Sequence, residues 1–161
     1  MPPSIRPTTD RVKESMFDIV GSLGGVEDCD VIDLFCGTGA LGIEALSRGA
    51  RSVTFVDADP AALAIAKENL IGVGLDQSDA VFVRAPVPGW VARPADLVFA
   101  DPPYGDVDAG AVLEGLEVEL VVFESRDPLG EISGWRSLKE RRYGTTLVTV
   151  LTRPSDEDQT P

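Results

Sequence analysis

Between residues 9 and 23, apolar side chains recur at Val12, Met16, Ile19, Val20 and Leu23. Offsets of four, seven, eight and eleven line one side of a helix. Thr8 or Thr9 can cap its start, and Asp10 sits where the positive end of the helix dipole favours an acid. Val31-Ile32-Asp33-Leu34-Phe35 is a short apolar run ending at glycines, the pattern of a buried strand. Ala40 to Arg48 predicts a helix closed by Gly49, and Ser52 to Val56 a second strand. Pro60 marks a helix start, with Ala61 to Ile71 continuing it. Ala80 to Val83 is a third strand. Pro86, Pro88, Gly89 and Pro94 argue against a full helix in 85–95. Leu97 to Ala100 is a fourth strand, 109–117 a helix and Leu120 to Phe123 a fifth strand. Within 136–152, Arg141 to Thr152 predict two strands hinged near Gly144, a terminal hairpin. The tail from Pro154 is polar and acidic and is expected to fray.

Strands alternating with helices define an α/β chain with a doubly wound, mostly parallel sheet, seven strands counting the antiparallel hairpin. Ligands of such sheets sit beyond the carboxyl ends of the strands. The 161 residues suit one domain, 1–153, followed by the acidic tail 154–161. No apolar run approaches the length of a membrane span, and Met1 to Arg6 have no apolar stretch behind their charge, so neither a transmembrane helix nor a secretory signal is expected. Two cysteines, Cys29 and Cys36, are too few for a disulfide scaffold, and the absence of histidine excludes His-based catalysis and His-ligated metals. A cytoplasmic, reduced monomer without a metal is the simplest expectation. The net charge is −13, from 14 basic and 27 acidic side chains. At long range such a chain is repelled by a phosphate backbone.

Two motifs fall at strand ends. Gly37, Gly39 and Gly42 in Asp33-Leu34-Phe35-Cys36-Gly37-Thr38-Gly39-Ala40-Leu41-Gly42 match G-x-G-x-x-G, a turn shared by nicotinamide, flavin and methyl-transfer enzymes. An acid ahead of the loop, Asp33, disfavours a pyrophosphate and suits a cation such as the sulfonium and ammonium of S-adenosylmethionine. Alternatively Asp33 only caps the next helix. Asp57, at the end of the second strand, can accept hydrogen bonds from two ribose hydroxyls, or merely cap a turn. Further on, Asp101-Pro102-Pro103-Tyr104 follows the fourth strand. Adjacent prolines fix the backbone and remove two N–H donors. A rigid arc of acceptors remains, the Asp101 carboxylate and the Pro102 carbonyl, which fits an amine with two N–H bonds. Tyr104 offers a face for stacking a base.

With these residues in view, the chain resembles a class I S-adenosylmethionine-dependent methyltransferase acting on an exocyclic amine. It is most similar to the bacterial 16S ribosomal RNA guanine-N2 methyltransferase family. Arg6-Pro7-Thr8-Thr9-Asp10-Arg11-Val12-Lys13-Glu14, the block from Asp33 through Gly42 to Ala50, and Asp101-Pro102-Pro103-Tyr104 carry the resemblance, which spans about residues 5 to 153. It implies a Rossmann-like methyltransferase sheet and roles by position. Asp33, Gly37 and Gly39 would hold the methionine part of the cofactor, with Phe35 bordering it. Asp57 and Ala58 would meet the ribose, and the backbone at Arg84-Ala85 the adenine. Asp101, Pro102, Pro103 and Tyr104 would hold the target base, and Arg6-Pro7-Thr8 would close over the methionine end. The implied reaction is methyl transfer to N2 of a guanine in small-subunit ribosomal RNA.

The chain departs from that family in three places. Members usually begin with a basic β-hairpin, whereas this sequence starts at Met1-Pro2-Pro3-Ser4. Ala85-Pro86 stand where an acid is common, and the following helix is reduced to a proline-rich stretch. Basic residues remain in two groups: Arg6, Arg11 and Lys13, and Arg136, Lys139, Arg141 and Arg142. Both could border one RNA-facing side, or be plain solvated surface. Alternatives therefore stay open: the same cofactor chemistry on DNA adenine or a protein amide, a non-catalytic cofactor-binding module, or a nicotinamide enzyme, which Asp33 and the double proline disfavour. Cys36 reads as a small packing residue. Trp90 and Trp135 read as packing rather than base-stacking, and Glu124 as either a cap or a neighbour of the substrate pocket.

Overall fold

The computed structural model describes residues 10–87, 89–90, 94–103 and 108–154. Helix α1 spans Asp10–Ser22, and β1 (Asp30–Leu34), α2 (Ala40–Ser47), β2 (Ser52–Asp57) and α3 (Pro60–Gly72) follow. A 3-10 turn at Gln77–Asp79 leads into β3 (Ala80–Arg84). Then come β4 (Ala95–Ala100), α4 (Ala109–Leu113), β5 (Val118–Ser125), β6 (Arg136–Tyr143) and β7 (Thr146–Thr152). The seven strands form one sheet in the order β3-β2-β1-β4-β5-β7-β6. The first five pair in parallel, and β7 runs antiparallel to both β5 and β6. The terminal hairpin is thus inserted backwards, its second strand lying against β5.

Alternation along the central strands sorts their side chains into two apolar layers. Val31, Val53, Phe55, Leu97 and Phe99 point to the layer built with α1, α2 and α3. Ile32, Leu34, Val56, Val98, Ala100 and Phe123 point to the other, covered by α4 and by Val87, Trp90, Ile132 and Trp135. Near-continuous burial of β1, Val31 through Leu34, is what a strand covered on both faces requires. At the opposite end of the sheet from the motifs, Arg51 donates to both oxygens of Asp30, at 3.0 and 2.6 Å, and Asp96 accepts from the Asp30 N–H at 2.8 Å.

Several expected boundaries move. Leu23 lies beyond α1 and is 47% exposed, while Phe17, outside the expected stripe, is buried against Phe99 with ring centroids 5.2 Å apart. Helix α4 stops at Leu113 rather than 117, because Gly115 turns the chain with φ +82. Leu116 is still buried from the loop. The full helix that prolines argue against in 85–95 is absent among the described residues. Thr8 and Thr9 and the tail from 155 lie outside the described residues.

Candidate active site at the carboxyl ends of β1, β2 and β4

Strand β1 ends at Leu34, and Phe35 immediately adopts φ +56, a left-handed conformation costly for a side-chain-bearing residue. That reversal turns the chain sharply off the sheet. Cys36 N–H then bonds Val56 O at 3.0 Å, and Gly39 N–H bonds Cys36 O at 2.8 Å, closing the loop over the end of β2. Gly39 sits at φ +81, and a Cβ there would lie 2.9 Å from the Cβ of Ala66 on α3. At Gly42 the constraint is space alone: a Cβ would lie 2.8 Å from Val53 Cγ1, so this glycine lets α2 lie flat on β2. Asn69 on α3, which carried no signal in the sequence, donates to Thr38 O at 2.9 Å and pins the loop from outside.

Three carboxylates gather where this loop meets the sheet. Asp33 is buried on β1, and its Oδ2 accepts from Gly42 N–H at 3.0 Å. It thereby caps α2, the simpler of the two roles open to it from sequence. Burial pushes its carboxyl well above the usual range. The Gly42 N–H opposes that rise, and the charges of Asp101 and Asp57 add to it. Half-buried Asp57 accepts from Gly37 N–H at 3.1 Å through Oδ2 and from Asp59 N–H at 2.9 Å through Oδ1. Its backbone carbonyl accepts from Ala85 N–H at 3.1 Å, which brings Arg84-Ala85 alongside this acid. Ala58 is exposed at the same strand end. Asp101 and Pro102 follow β4 half-buried, and Pro103 is exposed. Strands β2, β1 and β4 are adjacent, so all three acids lie at one rim. Thr8 and Tyr104 lie outside the described residues.

Cys36 is not a nucleophile in this setting. Burial, then the charges of Asp33 and Asp57, push its thiol far above its ordinary value. Glu124, buried near the end of β5, pairs with Val148 of β7.

The Asp33 carboxyl gives a test by pH. Its folded-state pKa is raised, so the native form holds the proton more tightly than the unfolded chain. Stability therefore falls as pH climbs from the ordinary carboxylate range toward the raised value. Asp33→Asn keeps an acceptor for Gly42 and removes the titration. Its Tm advantage over the parent should be larger at about pH 8 than at about pH 4. Equal differences at both would contradict the burial of an ionisable group there.

A parallel sheet with this strand order, a glycine turn after β1 and acids at the rim define a Rossmann-like methyltransferase fold. The chain belongs to the family described as "Conserved hypothetical protein 95", whose model matches residues 1–152. It is 34% identical over 154 residues to the ribosomal RNA small subunit methyltransferase D of Haemophilus influenzae, covering 87% of this chain and 79% of that protein. The protein of the same name from Escherichia coli K12 is 37% identical over 105 residues, 63% of this chain. The chain spans about half, 51%, of the length of that relative. A solved structure of a hypothetical protein from Thermus thermophilus superposes with a TM-score of 0.75 at 29% identity, covering 96% of this chain and 91% of that one.

Proposed function

We propose that this chain transfers a methyl group from S-adenosylmethionine to an exocyclic amine, N2 of a guanine in small-subunit ribosomal RNA. The observation that carries the reading is the convergence of Asp33, Asp57 and Asp101 on adjacent strand ends, close enough for Asp101 and Asp57 to disturb Asp33. Among the described residues, the charges that act on Asp33 are both negative, those of Asp101 and Asp57. Such a rim rejects a pyrophosphate and accepts a cation, which disfavours a nicotinamide. Family membership and the names of the curated relatives support the same reaction class and an RNA substrate.

The residues present fit the cofactor. Asp57 keeps a free acceptor site on each oxygen beyond its bonds to Gly37 and Asp59, enough for two ribose hydroxyls. The Arg84-Ala85 backbone would flank adenine, with Ala58 at the ribose. Phe35, Gly37 and Gly39 would line the methionine end, where Asp33 steadies the loop through its bond to Gly42. Thr8 is proposed to close that end. When bound, the sulfonium supplies an electrophilic methyl carbon.

The chain's own groups prepare the acceptor. The Asp101 carboxylate and the Pro102 carbonyl accept the two N–H bonds of the amine. That withdraws the nitrogen lone pair from conjugation and aims it across the rim. Pro102 and Pro103 hold these acceptors stiffly, so little reorganisation is required at the moment of attack. The extra proton leaves the alkylated nitrogen afterwards, past Asp101 to water. Tyr104 is proposed to stack on the ring. Positioning and preorganised electrostatics supply the acceleration, and no imidazole base is required.

The phosphates need a positive path on a chain of net charge −13. Strand β6 carries Arg136, Lys139, Arg141 and Arg142 at the free edge of the sheet. Lys139 and Arg141 pair with Val150 and Val148, on the side packed by α1, which bears Arg11 and Lys13. Tritiated methyl transfer onto undermethylated 30S subunits, naked ribosomal RNA and DNA tests the proposal. The label should appear as N2-methylguanosine in RNA. Label only in DNA or in protein would overturn the substrate, and no label in any of them the activity.

A further inference from the structure

Beside the β6–β7 hairpin the protein has an open groove of about 650 Å³. Its apolar wall includes Leu129, Trp135 and Leu151, and its rim includes the exposed acids Glu131 and Glu140. Thr149 also lines it, only 2% exposed, and its hydroxyl has no hydrogen-bond partner among the described residues. A buried hydroxyl left unbonded is costly and rare, so one on a residue lining a groove marks where a ligand's polar group would gain a bond. The groove falls within the size of small-ligand sites.

Register fixes where it lies. Ala100, the residue before Asp101, pairs with Phe123, Phe123 with Thr149, and Thr149 with Glu140. These four form one row across one face of the sheet. Thr149 is two strand spacings from Ala100, about 10 Å. That is the distance of a neighbouring nucleotide in an unstacked strand, not of the target base itself.

We infer that this groove receives an unpaired nucleobase flanking the target, one carrying an exocyclic amine. This rests on the proposed RNA substrate. The chemistry selects a base over a phosphate: two carboxylates repel an anion, and Glu accepts well from an amino group such as N4 of cytosine. The apolar wall takes the ring, and the Thr149 hydroxyl supplies a directional bond at the floor. One face of Trp135 is already covered by the Arg153 guanidinium, 4.0 Å from the ring centroid, which holds the indole in place as a wall. Of the β6 cations, Arg142 pairs with Leu147 on the groove's own face, so base and phosphate can meet opposite charges on the same hairpin.

The test does not use methyl transfer. In a Trp90→Phe background Trp135 is the sole tryptophan and reports on the groove. Cytidine or adenosine should change its fluorescence saturably at concentrations up to about 10 mM, and uridine should not. Thr149→Val should weaken that binding about tenfold without lowering the Tm, since the hydroxyl makes no bond among the described residues. Glu140→Gln should weaken it as well, without disturbing the floor. No nucleoside response, equal response to uridine, or unchanged binding in Thr149→Val would overturn the inference. Nucleoside binding with no transfer to RNA would retire the proposed reaction but keep the groove. Transfer without nucleoside binding would do the reverse.

Discussion

Asp101→Ala should lose methyl-transfer turnover by about 10²- to 10³-fold, the scale of removing one preorganised hydrogen-bonding group from a reaction centre. Its affinity for S-adenosylhomocysteine, measured by calorimetry, should stay within about threefold of the parent, because Asp101 is proposed to hold the amine rather than the cofactor. The split between the two readouts is the informative part. A cofactor-binding acid would lose both, and a structural acid would lower the Tm with them. Asp101 lies after β4, outside the hydrogen-bonded strand, so its removal costs the sheet no ladder bond. It also relieves Asp33 of a neighbouring negative charge. Wild-type turnover in this variant would refute the amine cradle.

Asp57→Ala should show the opposite split, losing cofactor binding first. Two charge-assisted bonds to ribose hydroxyls, at about 1.5–3 kcal/mol each, set the scale. Their loss corresponds to an increase in Kd of at least about 10²-fold. The same substitution frees the Gly37 N–H, which Asp57 holds at 3.1 Å, so the glycine loop loses one of its ties to β2. Asp57→Asn separates these effects. The amide oxygen can still accept from Gly37 while the charge is gone, so a loss of about tenfold is expected. Unchanged affinity in Asp57→Ala would remove the ribose from this acid.

Much of this was legible along the chain, and the exceptions have physical causes. Strands β1, β2, β4 and β5 announced themselves because burial on both faces demands mostly apolar runs. The glycine spacing was readable because Gly42 answers to a steric demand, the close approach of α2 to Val53. The place of β7 beside β5 was not readable. Hairpin residues pair locally whichever strand lies inward, and only three-dimensional packing of Val148 and Val150 against α1's layer decides it. Phe17 escaped because the stripe was drawn through Leu23, whereas the buried arc is rotated toward Phe99. At the site the acids were visible, and capping of the next helix was one of the two roles open to Asp33, but its partner there, Gly42, was not. Sequence separation of nine residues hides a contact that only the turn after Phe35 creates. Thr149 left no trace at all, since an unbonded hydroxyl looks like any strand threonine until its surroundings are known.

A crystal structure of this chain with S-adenosylhomocysteine tests the central claim most directly. The ribose hydroxyls should lie on Asp57, adenine beside Arg84-Ala85, and the sulfur should face Asp101 and Pro102. Between them there should be room for a methyl carbon about 3–3.5 Å from an incoming nitrogen. A cofactor bound elsewhere, or an Asp101 carboxylate turned away from the sulfur with no such opening between them, would contradict it.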